Sequence, residues 1–385
     1  VSASASLTAL TRTRNQGLTP LAVEQVRKKG LNRDIRIGKS RVKLGDLAMF
    51  ARQFATMLQA GLPILRCLSI LAEQSTNSTM TESLIAITAD VEQGEPLSDA
   101  MAKHRQFPPL MVSMIRAGEV GGFLDTTMLE IAASLESDAQ LRSKIKSALT
   151  YPVAVGIIAI LIVTAMLIFV VPIFEGMFTS FGGSLPAPTQ FLVLLSNLIT
   201  NPLIFIPILV VVIGATVWYR RHRHDEAVRN VVDPIKFRTP VFGPLVQKVA
   251  LARFSRNLAT LLSAGVPVLT ALDIVQDTAG NVVIARAVAA VKDSVRDGTG
   301  MAAPLADHPV FPDMVVQMIS VGEDTGSLDE MLRRIADFYD QQVAATAEQL
   351  TSLIEPIMIV VLGGLVGGMI IALYLPIFQI FDLIK

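Results

Sequence analysis

The chain has 385 residues, 51% apolar and only 17% charged. Its 33 basic and 33 acidic residues cancel, which argues against nucleic acid as a main partner, because duplex binding needs surplus positive charge. Cys67 is the single cysteine, so there is neither a disulfide framework nor a cysteine metal site; its apolar helical surroundings suit a small core residue.

Residues 1–45 read as a basic arm. Across 12–43, ten lysines and arginines stand against Glu24 and Asp34. Such an arm is either a solvated tail or a surface for an acidic partner or anionic headgroups. Residues 1–49 hold no apolar segment of the length a secretory signal needs.

Residues 46–150 read as helices throughout. Leu47, Phe50, Phe54, Met57 and Leu58 recur at helical spacing and make one apolar face. Gly61 stops that helix, and Pro63 suits the first turn of the next. A third helix covers residues 79–93 and stops at Gly94. A short fourth follows at 98–103. Phe107-Pro108-Pro109 is a break, and a fifth helix runs to Gly118. The turn from Gly118 to Gly122 then launches a long last helix toward Tyr151-Pro152. Six helices with short links predict an antiparallel bundle.

Three stretches carry no charge: residues 152–174, 185–219 and 356–381. About 20 apolar residues cross the hydrocarbon core as a helix, so each reads as a membrane span. The middle stretch contains Pro186, Pro188, Pro202 and Pro207, and its spanning part is placed at 198–219. Three such stretches in one chain argue against buried core helices of a soluble protein. Pro152 and Pro356 read as helix breaks where the chain enters the membrane.

Orientation follows lysine and arginine. Arg142, Lys144 and Lys146 precede the first span, and Arg220, Arg221 and Arg223 follow the second, with none between. The connection at 175–188 is therefore expected outside and the large segments in the cytoplasm. Glu348 and Glu355 are the nearest charges before the third span, so its direction rests on parity and repetition. The expected order is an arm (1–45), a cytoplasmic bundle (46–150), two spans with a short external loop (151–219), a cytoplasmic linker (220–253), a second bundle (254–355) and a third span (356–381).

The chain repeats itself without a gap. Residues 50–178 align with 254–382 at an offset of 204 residues, from Phe50 to Phe254. Ala60-Gly61-x-Pro63 falls on Ala264-Gly265-x-Pro267, and Phe107-Pro108 on Phe311-Pro312. Gly118-Glu119 meets Gly322-Glu323, and Gly122-x-Leu124-Asp125 meets Gly326-x-Leu328-Asp329. The fold expected is an all-α membrane protein of two repeated six-helix cytoplasmic bundles and three transmembrane helices.

The sequence carries no recognisable catalytic constellation. No phosphate-binding Gly-x-x-x-x-Gly-Lys-Ser/Thr loop occurs. His104, His222, His224 and His308 lack metal-ligand spacing. Glu92, Glu95, Asp99 and Glu136 are solvated faces by default, or a set of oxygen ligands for a divalent ion. Glu119 and Glu323, beside the turn glycines, read as helix-end hydrogen bonds fixing the turn or as partner contacts. Glu355 reads as interfacial. Gly363, Gly364, Gly367 and Gly368 form a small-residue seam that admits a close helix. That helix is the first span, a second copy of this chain or a partner's apolar helix.

The run from Thr239-Pro-Val-Phe-Gly-Pro244 to Ser263-Ala-Gly-Val-Pro267 resembles the type II secretion F / type IV pilus PilC platform family. So do Phe-Pro…Met-Ile-x-x-Gly-Glu-x-x-Gly-x-Leu-Asp in both copies and Tyr151-Pro152, and the likeness covers residues 17–382. It implies a non-enzymatic bacterial inner-membrane platform with no cofactor or metal. Such a platform meets a hexameric assembly ATPase, pilin or pseudopilin subunits, other inner-membrane assembly components and the lipid bilayer, and forms a homo-oligomer, a dimer among the possibilities. The motif residues Gly61, Pro63, Gly118, Glu119, Gly122, Gly265, Pro267, Gly322, Glu323 and Gly326 become candidate partner contacts. Before the PilC-like start at residues 16–20 the family often has a longer segment, and the lysine-rich approach to the first span differs from the glutamate-bearing approach to the third. A transporter built from repeated halves is the alternative, but the spans lack the mid-membrane polar groups it needs.

Overall fold

The computed structural model describes residues 41–180, 185–222, 225–240 and 242–383, with the backbone alone at 178–180 and 376–383. The arm up to residue 40, including 16–20, lies outside the described residues, as do Arg223 and His224. No strand occurs among the described residues.

The first repeat builds six helices: α1 (Leu44–Gln59), α2 (Ile64–Gln74), α3 (Ser78–Glu92), α4 (Leu97–Ala102), α5 (Pro109–Gly121) and α6 (Leu124–Ala165). A π-helical turn, Met166–Val170, joins α6 to α7 (Val171–Ser180). Then come α8 (Ala187–Thr200), α9 (Pro202–His222) and α10 (Glu226–Arg238). The second repeat builds α11 (Gly243–Ser263), α12 (Val268–Thr278), α13 (Val282–Arg296), α14 (Ala302–Ala306), α15 (Asp313–Thr325) and α16 (Leu328–Leu383). Helices α2 and α12, α3 and α13, and α5 and α15 begin and end on aligned residues.

The same local chemistry sets those ends. Asn77 caps α3 by accepting from the amides of Thr79 (3.0 Å) and Met80 (3.3 Å), and its mate Asn281 accepts from Val283 (2.8 Å). Gly122 and Gly326 end α5 and α15 at φ 74° and 68°, where a side chain would strain the backbone. The Phe-Pro motif has a packing reason. Phe107 is buried against Phe50 at 5.8 Å between ring centroids, and Phe311 against Phe254 at 5.2 Å. The buried apolar side chains of both repeats join in one continuous core that runs from Leu47 to Tyr339.

Gly118 departs from its expected role. Helix α5 runs past it to Gly121. A methyl on Gly118 would sit 2.6 Å from Thr127 Oγ1 and 3.1 Å from Leu124 Cα. A methyl on Gly322 would sit 2.9 Å from Leu328 Cα. These two glycines let the first turn of the long helix lie directly on α5 or α15.

Three helices are long and apolar enough to cross a membrane: Leu124–Met177, Pro202–His222 and Leu328–Leu375. The second span starts at Pro202 rather than at 198, because proline has no N–H to continue the ladder from α8. Asn201 takes an extended ψ of 110° and accepts from the Leu203 amide at 3.0 Å, which starts the new helix. The expected breaks at Pro152 and Pro356 do not occur: both prolines lie inside unbroken helices. Pro152 leaves the Ala148 carbonyl without its usual partner. Thr351 Oγ1 of α16 stands 3.1 Å from that oxygen and 3.0 Å from its own Ala347 carbonyl, and shares its proton between them. The stretch 220–253 is also more helical than a linker, with Pro234 inside α10. The buried Asp233 carboxylate holds α10 there by accepting from Lys236 Nζ (3.0 Å) and from the Val282 amide (3.2 Å) at the start of α13.

The close approach at α5 and α15 makes a prediction. Gly118→Ala and Gly322→Ala should each lower unfolding stability by about 1–3 kcal/mol. Gly363→Ala should not, because a methyl there meets nothing within 4 Å. Equal unfolding midpoints for all three variants in mild detergent would contradict this.

Candidate functional site at the seam between the repeats

Glu119 and Glu323 do one job in each repeat. The Glu119 carboxylate reaches from α5 to the start of α4, where the amides of Leu97 and Ser98 donate to it, the latter at 3.0 Å. Glu323 receives the amides of Met301 (2.5 Å) and Ala302 (3.2 Å) at the start of α14. A negative group there fills two amides that a helix start leaves unpaired and meets the positive end of its dipole. The carboxylate fixes the neighbouring helix rather than its own turn. The short helices α4 and α14 are preceded by Pro96 and Met301, which supply no side-chain cap of their own.

A second repeated device was not anticipated from sequence. Arg52 of α1 donates through Nε (2.7 Å) and Nη2 (2.6 Å) to Glu136 of α6. Its mate Arg256 of α11 donates to Asp340 of α16. Both pairs sit 84 residues apart in sequence, so the alignment of copies already contained the signal. Their surroundings differ. The Arg52 side chain is 42% exposed, whereas that of Arg256 is 10% exposed. The difference arises because α6 crosses α11. Asp138 lies 3.2 Å from Arg256 Nη1 and 3.7 Å from Arg253 Nε, and Glu130 lies 3.7 Å from Arg333 of α16. The Arg52 contact pulls the Glu136 carboxyl below its usual range. Burial pulls the Arg253 guanidinium down, and Asp138 opposes the effect.

The motif turns meet across this seam in one direction only. The Phe123 ring, at the end of the Gly118 turn, lies 3.9 Å from where a Gly265 methyl would stand. The same ring covers Gly121, where a methyl would be only 1.9 Å from it. Where the second copy has Ser327 in place of Phe123, it has Thr325 in place of Gly121. Around the contact lies a cavity of about 420 Å³, bordered by Val120, Phe123, Val266, Pro267 and Ile274. Ala264 and Val266 are buried there, whereas their first-copy mates are not: Ala60 is exposed and Leu62 half-buried.

The alternative grouping of acidic residues around an ion does not assemble. Glu95 pairs with Lys103, Asp99 with Arg116 and Glu136 with Arg52. Among the described residues no cluster of His, Cys, Asp and Glu could hold a metal ion. The glycine seam of α16 is not covered by the first span: a methyl on Gly363, Gly364, Gly367 or Gly368 meets nothing within 4 Å.

Two outcomes follow. Glu119→Ala and Glu323→Ala should each cost about 1–3 kcal/mol, with Gln costing less, and α4 and α14 should lose hydrogen-exchange protection before the rest of their bundles. Unchanged protection there would sink the assignment. The lowered Glu136 carboxyl stabilises the fold fully above the ordinary glutamate value of about 4.3. This contribution is lost as pH falls through the lower folded value. Glu136→Gln should therefore flatten the acid side of a stability-against-pH curve, and a slope equal to that of the unaltered chain would refute it.

Comparison with known proteins agrees with this architecture. Residues 50–172 and 254–376 each match the family described as Type II secretion system (T2SS), protein F. The chain is 46% identical over 374 residues to a type IV pilus assembly protein PilC of Myxococcus xanthus, covering 96% of this chain and 88% of that protein. It is 43% identical over 355 residues to PilC of Thermus thermophilus, covering 91% and 87%. It is 31% identical over 377 residues to a type II secretion system protein F of Vibrio cholerae, covering 97% and 92%. With both copies of the doubled bundle matched, the chain belongs to the type II secretion system protein F family, which includes the PilC pilus assembly proteins.

Proposed function

We propose that this chain is a non-enzymatic platform in the inner membrane of a type IV pilus or type II secretion machine. In this reading it couples a cytoplasmic assembly ATPase to the polymerisation of pilin or pseudopilin subunits. One observation carries the proposal: each bundle is continuous with a span. The helix from Leu124 to Met177 is 54 residues long, about 80 Å at 1.5 Å per residue. Helix α16 does the same for the second bundle from Leu328. Motion delivered to a bundle would reach the bilayer without crossing a flexible joint. The basic residues at Arg142, Lys144, Lys146, Arg220 and Arg221 support placing both bundles in the cytoplasm.

The protein reconstituted in liposomes should hydrolyse no ATP alone and pass no solute, and should raise the turnover of the assembly ATPase encoded with it. Intrinsic hydrolysis, solute flux or an unmoved ATPase rate would reject the reading. Reporter fusions at residues 60 and 300 should report the same compartment, and opposite compartments would reject it too.

A further inference from the structure

Two buried hydroxyls of α8 each donate to a carbonyl that a proline has left without a partner. Thr189 Oγ1 donates to the Ala372 carbonyl of α16 at 2.5 Å. Four residues after Ala372 stands Pro376, which has no N–H to fill that oxygen. Ser196 Oγ donates to the Leu167 carbonyl at 2.5 Å. Leu167 lies in the π turn, where the Val171 amide bonds back five residues to Met166. The next bond in that register would run from residue 172 to Leu167, and residue 172 is proline. Pro172 and Pro376 are aligned positions of the two repeats. One helix between the spans therefore serves both.

Both hydroxyls are about 1% exposed, and apolar packing surrounds them. Leu192 of α8 joins Leu167, Val171, Met369, Ala372 and Leu373 in one cluster. Thr189 and Ser196 are seven residues apart, two helical turns, and so share one face of α8. A carbonyl in hydrocarbon has no water to turn to, so each hydroxyl holds its partner helix where the ladder is broken. The second span takes no part, since none of its residues is buried.

We propose that α8 is a clamp that locks the distal ends of the first and third spans into one body, with Thr189 and Ser196 as its positioning residues. The π turn is the register that aims Leu167 at Ser196. With Thr351 joining α6 to α16 near Pro152, the two spans are tied at both ends, and the second span is left as the element able to shift against them.

A pair of double-mutant cycles tests the clamp in mixed micelles. Thr189→Val and Ser196→Ala should each lower the folding equilibrium constant at least about threefold. Each loss should shrink to within about twofold once the amide is restored, by Pro376→Ala for Thr189 and by Pro172→Ala for Ser196. Equal losses in both backgrounds would overturn the proposal, because the hydroxyls would then not be serving proline-freed carbonyls. A second readout needs no unfolding. Spin labels at Ile173→Cys and Ile371→Cys, both exposed, in a Cys67→Ala chain should give a narrow distance distribution. Thr189→Val with Ser196→Ala should broaden it, Thr189→Ser with Ser196→Thr should keep it narrow, and Thr200→Val should not change it. A distribution unaffected by loss of both hydroxyls would also overturn the clamp.

Discussion

Each bundle depends on a carboxylate placed where a helix begins. Glu119 and Glu323 hold the first amides of α4 and α14, and those short helices have too few turns to be stable alone. The same helices α5 and α15 carry the glycines that accept the long helices at under 3.2 Å from a would-be methyl to backbone. One turn of sequence thus anchors a short helix on one side and launches a long one on the other. The launch direction matters, because α6 and α16 leave the bundles and become spans.

The two copies share this framework and differ in what covers it. The arginine–carboxylate pair is part-exposed in the first repeat, where water screens some of its attraction. In the second repeat it is enclosed, because Asp138 of α6 reaches Arg256 and Arg253 of α11. The apolar core runs through both repeats without interruption. The doubled module therefore has no apolar boundary between its copies, and the two long helices α6 and α16 meet within it.

Much of this was legible in the sequence because its causes are local. Gly61, Gly122, Pro63 and the Asn77 cap act within a few residues, and the helix ends fall close to where those residues put them. The role of Gly118 was misread because its reason is the Cα of Leu124 arriving from the next helix. Pro152 was misread for a similar reason. Proline removes a hydrogen bond locally, but the group that compensates is Thr351, 203 residues away in sequence. The seam between repeats was invisible for a different reason: Asp138 aligns with Gln342 and Arg253 with Met49, so repetition hides the residues that make the copies unlike. The third turn glycine, Gly121, becomes intelligible only with Phe123 folded over it.

The substitution of Ser327 for Phe123 reaches beyond a single chain. The Gly118 turn covers the Ala264–Pro267 corner with an aromatic ring, while the matching corner at Ala60–Pro63 lies open. Had the second repeat kept that ring, a neighbouring molecule could have plugged the open corner, and the next could have repeated the act. A head-to-tail contact of this kind does not close and grows into fibres. With serine there the second repeat carries no such ring, and the contact is made once, inside the tandem.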